Sequence, residues 1–195
     1  MAPSDTIRVS ALLLAGGQGS RLGGRDKGLM PWQGRPVAAH LADQSREVAH
    51  ELLISCNRNQ TVYQQWADRL VGDYEPGFPG PLTGILAGLH ACAGSHLLVF
   101  PCDLPWLDSA LLELLCDQAQ SQPGRPCLVR AGEQWQPLLT VIPKALLPAL
   151  QTAWNEGQRS PLRWLLSQSH SVVQVPSGDP RLHNANTLAD WSINC

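Results

Sequence analysis

An α/β fold with a mostly parallel, doubly wound sheet, helices on both faces and a small antiparallel addition is predicted by three features of this sequence. Short apolar runs recur along it, as in Ala11-Leu12-Leu13-Leu14, Leu52-Leu53-Ile54 and Leu97-Leu98-Val99-Phe100. Strands without polar alternation are buried on both faces, which is the habit of parallel sheets. Segments with helical spacing separate these runs, and strand–helix alternation builds a sheet covered on two sides. The runs also end in loops rich in Gly, Pro, Asp and Asn, where ligands of such sheets bind.

Taken in order, Arg8 to Leu14 reads as the first strand and runs into a glycine loop. Pro36 suits the first turn of a helix reaching about Ala49, because its missing N–H would be unpaired there anyway. Glu51 to Cys56 is a second buried strand, Thr61 to Ala67 a short helix, and Arg69 to Gly72 a short third strand. A turn-rich stretch, Glu75 to Pro81, precedes a helix over Leu82 to Ala93. His96 to Phe100 is the fourth strand, and Asp108 caps a helix reaching Gln120. Cys127 to Arg130 and Gln136 to Ile142 flank a polar turn at Gly132 and form the antiparallel addition. Lys144 to Glu156 and Pro161 to Ser169 are helical, Ser171 to Val175 is a strand, and Thr187 to Trp191 starts a last helix with Asn186 as its cap.

At 195 residues the chain reads as one domain, 1–195, able to bury roughly 70% of its unfolded surface. A formal charge of −2 and the lack of any long Lys/Arg run argue against a nucleic-acid partner. Seven tryptophans are divided between core packing, the commoner use, and a docking surface. The six cysteines have no C-x-x-C pair or metal-ligand spacing, which points to reduced core thiols in a cytoplasmic protein. Neither a signal peptide nor a membrane span is expected. His40, His50, His90 and His96 read as surface or boundary residues without catalytic partners, and no hydrolase or zinc motif is present.

The most informative segment is Leu14-Ala15-Gly16-Gly17-Gln18-Gly19-Ser20-Arg21-Leu22-Gly23-Gly24-Arg25-Asp26-Lys27. A buried strand that breaks into glycines and cations brings backbone amides close to polyphosphate oxygens. It is neither a P-loop, since Lys27 follows Asp26 and precedes Gly28, nor the dinucleotide fingerprint, since Gly23 comes one place late after Gly17 and Gly19. Lys27 suits phosphate oxygens as a point charge, and Arg21 can brace them.

Three further clusters sit at strand ends. Asp103, between Pro101 and Pro105, is a carboxylate in a restricted backbone and a candidate ligand for Mg²⁺ carried by a nucleotide; it could also cap the next turn. Asp73 could coordinate, cap, or bind a ribose or base. Ser55 and Asn57 could read a base edge or satisfy loop amides. Gly80-Pro81-Leu82-Thr83-Gly84 opens a helix whose first amides could face an anion, or is simply a tight loop. Convergence of these clusters from one sheet argues for a single active site.

These motifs, L-A-G-G-x-x-x-R-L-G-G-x-D-K, then N-R, P-G-P-L-x-G, P-C-D-x-P and N-x-N-T, run in order from Leu14 to Thr187. Together they resemble the molybdenum cofactor guanylyltransferases. The resemblance implies that GMP is transferred from GTP to molybdenum–molybdopterin with release of pyrophosphate. It implies GTP contacts at Leu14, Ala15, Gly16, Lys27, Ser55, Asp73 and Asp103, with Mg²⁺ on Asp103 and Arg21, Lys27 and Asp103 as the catalytic set. The family often has asparagine where Ser55 stands, so Asn57 is a candidate to share its task. The N-terminal half would bind nucleotide. The C-terminal half, from about Gln136 and including Asn184 and Asn186, would meet the pterin and the recipient molybdoenzymes or their chaperones. Alternatives are cytidylyl transfer to molybdopterin, nucleotidyl transfer to a sugar phosphate, and a carrier without chemistry; the Gly16-Gly17 pair favours the guanylyl branch, since cytidylyl relatives usually carry L-A-A-G.

Overall fold

The computed structural model describes residues 6–17, 24–73 and 80–192. The chain forms β1 (Val9–Leu14), a hairpin of β2 (Pro31–Trp32) and β3 (Arg35–Pro36), α1 (Val37–Arg46), β4 (Glu51–Ser55), α2 (Gln60–Tyr63), β5 (Arg69–Val71) and α3 (Pro81–Ala91). Then follow β6 (His96–Pro101), α4 (Ser109–Ser121), β7 (Cys127–Ala131), β8 (Gln134–Pro143), α5 (Leu147–Asn155), α6 (Pro161–Ser167), β9 (Ser171–Val175) and α7 (Leu188–Ser192).

A seven-stranded sheet in the order β5-β4-β1-β6-β8-β7-β9 organises these elements. β5, β4, β1 and β6 are mutually parallel neighbours. β8 lies antiparallel to both β6 and β7, and β9 is parallel to β7. The antiparallel addition is thus set inside the sheet. After β1 the chain fills one side with β4 and β5, then crosses to the other side as β6. That reversal between β1 and β6 opens a crevice at their carboxyl ends.

Successive strand residues feed opposite cores. Ala11, Leu13, Leu52, Ile54, Leu98 and Phe100 pack with α1 and α4, through residues such as Leu41, Leu111 and Leu115. Leu12, Leu53, Leu97 and Val99 pack with α3, α5 and α6, through Ile85, Leu89, Leu150 and Trp164. Burial of each large side chain contributes about 1.5–3 kcal/mol. Asp108 accepts the Leu111 N–H at 3.0 Å and starts α4, and Ser160 with Pro161 starts α6. Among the described residues no helix is long and apolar enough to cross a membrane.

Several boundaries differ from the sequence expectation. α1 stops at Arg46, because the amides of Val48 and Ala49 turn back to Ser45 O and release the chain into β4. α2 stops at Tyr63, with turns to Ala67 before Asp68 N–H donates to Leu52 O and starts β5. The β2–β3 hairpin was not anticipated: prolines flank it, and its turn uses Gln33 and Gly34, both at positive φ. β8 begins at Gln134, and its register against β7 jumps at Leu128/Val129, opposite Pro137, which lacks a ladder N–H. His96 is buried rather than at the boundary, with Nε2 donating to Pro123 O at 2.8 Å. Four of the seven tryptophans, Trp32, Trp154, Trp164 and Trp191, are buried, which favours core packing. Cys56, Cys92, Cys102, Cys116 and Cys127 are free thiols, and burial pushes their pKa values up, for Cys56 to about 11.

Candidate active site

The four strand ends named from the sequence meet. Past the end of β1, Ala15 N–H donates to Ser55 O at 2.8 Å, and Cys102 N–H donates to Leu14 O at 3.2 Å. The ladder therefore continues into the loops and fixes their spacing. Gly16 has no Cβ where one would lie 3.4 Å from Asn57 Nδ2 and 4.0 Å from Asp73 Oδ1. Asn57 Nδ2 donates to Asp73 Oδ2 at 2.5 Å, while Asp73 N–H donates to Asn57 Oδ1 at 3.3 Å. Asn57 thus orients the Asp73 carboxylate beside the glycine loop. Ser55 is buried, and its Oγ lies where a Cβ on Gly84 would fall at 2.9 Å. The glycine lets the first turns of α3 settle against β4.

Across the crevice, Lys27 Nζ donates to Asp103 Oδ2 at 3.1 Å and to Asn186 Oδ1 at 2.8 Å. The pair is partly covered, with side-chain exposures of 22% and 19%. An ammonium has three N–H bonds, and among the described residues only these two are engaged, which leaves one for a ligand. Asn186 is not a helix cap. Its own N–H and that of Thr187 donate to Asp190, whose N–H returns to Thr187 Oγ1. Ala185 N–H donates to Asp103 O at 2.9 Å and holds this segment against the Asp103 loop.

Lys27 is aimed by residues the sequence did not single out. Asp26 Oδ1 accepts from Tyr63 Oη at 2.6 Å and Gly28 N–H at 3.2 Å, and Oδ2 accepts from Asn59 Nδ2 at 2.8 Å. Burial and the Asp26 bond push the Tyr63 phenol far above its ordinary pKa, so it serves as a fixed donor. A second support is aromatic. Trp32 meets Trp106 at 4.7 Å and Trp191 at 6.4 Å, both edge-on. These rings follow Lys27, Asp103 and Asn186 closely in sequence and tie the three segments together. Arg21, expected in the catalytic set, lies outside the described residues, as do Glu75 to Pro79 of the turn-rich stretch. Asn184 is exposed beside the site.

Beyond Asp103 the same sheet edge carries a cavity of about 470 Å³ lined by Trp106, Gln134, Gln136, Asp179, Leu182 and His183 among others. Trp106 and His183 stand edge-on with centroids 5.1 Å apart. Paired hydrogen bonds from Arg181 hold the Asp179 carboxyl below the usual range, so it is an anion at neutral pH. Arg181 also reaches Asp108 at 3.6 Å and ties this wall to the start of α4.

No group of three or more His, Cys, Asp or Glu suited to a metal occurs among the described residues. Asp103 nonetheless offers a hard oxygen donor, Oδ1, beyond the one bonded to Lys27. A single carboxylate suffices for Mg²⁺ when phosphates supply other ligands, and the donor set fits that use.

The chain matches the family model described as the MobA-like NTP transferase domain over residues 11–172. A molybdenum cofactor guanylyltransferase from Pseudomonas fluorescens (strain Pf0-1) is 51% identical over 178 residues, 91% of this chain and 89% of that one. One from Pseudomonas aeruginosa (strain LESB58) is 51% identical over 187 residues, covering 96% and 94%. Among solved structures, molybdopterin-guanine dinucleotide biosynthesis protein A from Archaeoglobus fulgidus superposes with a TM-score of 0.75 over 94% of this chain and 95% of that one. At 20% identity it attests the fold alone. With both relatives matched almost end to end, this chain belongs to the molybdenum cofactor guanylyltransferase family, nucleotidyltransferases with a MobA-like NTP transferase domain.

Proposed function

We propose that the crevice between β1 and β6 binds GTP and that the cavity beyond Asp103 receives molybdenum–molybdopterin, so that GMP passes to the pterin phosphate and pyrophosphate leaves. One observation carries this reading: Lys27 bridges Asp103 and Asn186, with a third ammonium N–H not engaged by any described residue, on segments that lead to the cavity wall at Trp106 and His183. The backbone of Leu14, Ala15 and Gly16 would face the triphosphate. Asp73, oriented by Asn57, would meet the ribose or base, and Ser55 the same end of the nucleotide. Trp106 and His183 offer ring surfaces, and Gln134 and Gln136 amides, to a flat polar heterocycle. On this reading the domain is single, its N-terminal half holding nucleotide and its C-terminal half the acceptor.

In the transfer, an oxygen of the acceptor phosphate attacks the α-phosphorus in line with the leaving pyrophosphate. A phosphate monoester oxygen is already anionic, so no side chain need remove a proton. Lys27, and Arg21 with it, would neutralise charge building on the α-phosphate and pyrophosphate. Asn186 keeps the ammonium in place. Mg²⁺, held by Asp103 and the phosphates, would supply further charge neutralisation at the α-phosphate. The cytoplasm, where the described free thiols stay reduced, is the proposed compartment, and recipient molybdoenzymes or their chaperones the proposed takers of product.

The test is pyrophosphate release by purified protein given Mg²⁺, molybdenum–molybdopterin and each nucleoside triphosphate in turn. GTP should be the preferred donor, and release should require the pterin. Preference for CTP would overturn the base assignment, and release with a sugar phosphate in place of the pterin would overturn the acceptor. Tight GTP binding without pyrophosphate would identify a carrier.

A further inference from the structure

The guanidinium of Arg58 reaches both ends of the glycine loop. Its Nη2 donates to Gly17 O at 3.1 Å and its Nη1 to Gly24 O at 3.1 Å, the carbonyls that bound residues 18–23. Neighbours on the same connection between β4 and α2, with Tyr63 at the end of α2, hold the rest of the nucleotide side: Asn57 binds Asp73, and Asn59 and Tyr63 bind Asp26. The left-handed turn at Asn59, φ 53°, redirects the chain between these contacts.

We propose that Arg58 is a positioning residue for nucleotidyl transfer, closing the two ends of the triphosphate loop with one planar fork. This rests on the reading of that loop as the GTP site. An exposed arginine beside such a loop would ordinarily be assigned to phosphate oxygens. Here each terminal nitrogen gives an N–H to a carbonyl, one at either end of the loop, so its chemistry is that of a clasp. Holding both ends removes closure entropy that the nucleotide would otherwise have to overcome on binding. Lys27 is aimed separately, by Asp26 and Tyr63, so loss of the clasp should burden GTP binding far more than the chemical step. Arg58 is exposed and touches no core residue in these bonds, so its loss should leave the fold intact.

The experiment compares wild type with Arg58→Ala and Arg58→Lys. For Arg58→Ala, the KM for GTP should rise about tenfold, as expected for lost hydrogen bonds from a charged donor. Its kcat should stay within about threefold, the KM for the pterin should not move, and the melting temperature should shift by no more than about 2 °C. Arg58→Lys should resemble Arg58→Ala, because an ammonium keeps the charge and loses the fork. Rescue by Arg58→Lys would overturn the proposal in favour of a simple charge effect, and so would an unchanged KM in Arg58→Ala. Amide hydrogen exchange without nucleotide gives a separate readout. The peptide spanning residues 12–29 should exchange faster in Arg58→Ala, with the rest of the chain unchanged; equal exchange would overturn the clasp. Failure of wild type to release pyrophosphate from GTP would sink the functional reading, while the exchange experiment would still decide the role of Arg58.

Discussion

Gly28 offers a direct test of how Lys27 is aimed. A Cβ at this position would lie 2.3 Å from Tyr63 Oη, with ring carbons at 3.1 and 3.2 Å. Ordinary contact begins near 3.4 Å, so in Gly28→Ala the hydroxyl must retreat by about 1 Å. Tyr63 is fully buried and has no free room. Overpacking of this kind costs about 1–3 kcal/mol. Retreat also breaks the Tyr63–Asp26 bond, a hydrogen bond to a charged group worth about 1.5–3 kcal/mol. Gly28→Ala should therefore lose about 4 kcal/mol, a melting decrease of about 8–16 °C for a chain of this length. Tyr63→Phe alone should lose about 2 kcal/mol, because Asp26 keeps its other two donors. In the double variant the hydroxyl is gone and only the tight ring contacts remain, so the combined loss should fall short of the sum by about 2 kcal/mol. Urea unfolding of all four proteins measures this coupling. Additive losses, within about 0.5 kcal/mol, would refute the contact between position 28 and the phenol.

Other perturbations separate chemistry from stability. Lys27→Ala should lower kcat for pyrophosphate release at least about 100-fold, on the scale of one electrostatic donor worth roughly 3 kcal/mol; Asp103→Ala should do the same, and near-normal turnover there would remove it as the metal ligand. Asn186→Ala, which frees the Lys27 ammonium, should lower kcat about tenfold with little change in melting temperature, and equal turnover would make the contact incidental. The pH dependence of stability should show two declines on acidification. Burial pushes the pKa of His96 below 6.5, so the folded ring stays neutral while the unfolded one takes up a proton, and stability should fall as pH drops below about 6.5. His96→Gln should abolish that upper decline in urea titrations between pH 8 and 5. Asp68 and Glu51 are buried enough to raise their pKa values, but hydrogen bonds to each carboxylate outweigh this; Asp179 is lowered foremost by Arg181. Folded values below the unfolded ones give stability that is present above about pH 4 and lost as pH falls through the folded values, a decline His96→Gln should leave intact.

The parts of this molecule legible in its sequence are those whose physics is local. Continuous apolar runs located β1, β4 and β6 to within a residue or two, since burial on both faces fills their middles with apolar residues, Ala11 to Leu14, Leu52 to Ile54 and Leu97 to Phe100. Asp108 was legible as a cap because its partner, Leu111 N–H, lies three residues away. Asp73 and Asp103 stood out because each carries charge at the end of a strand, and Lys27 because it is a cation in the glycine loop that follows β1. Asn186 was legible as a polar turn residue but not as a partner of Lys27, which lies 159 positions earlier. Asp26 and Tyr63 were hidden for the same reason: a carboxylate beside a lysine reads as a local charge pair until folding brings a buried phenol onto it. The β2–β3 hairpin escaped because prolines flank strands of two residues, too short for any alternation to register.

The placement of Lys27 illustrates why a site assembled from distant segments needs two kinds of support. Hydrogen bonds set direction: Asp26 anchors the turn that carries Lys27, and Asp103 and Asn186 receive its ammonium. Such bonds exchange readily with water at partly exposed positions, which holds each to the low end of the roughly 1.5–3 kcal/mol of a hydrogen bond to a charged group. They could not by themselves hold together segments centred on residues 27, 103 and 186. The contacts among Trp32, Trp106 and Trp191 are apolar, and two of the three rings are buried. Each aromatic pair adds about 0.5–1.5 kcal/mol beyond the area it covers. Packing therefore fixes where the three segments lie, and the polar network fixes where the ammonium points. On the proposed reading, in which Lys27 receives phosphate and then releases pyrophosphate, this division is needed, because the bonds of the ammonium would be exchanged in every turnover while its position does not change.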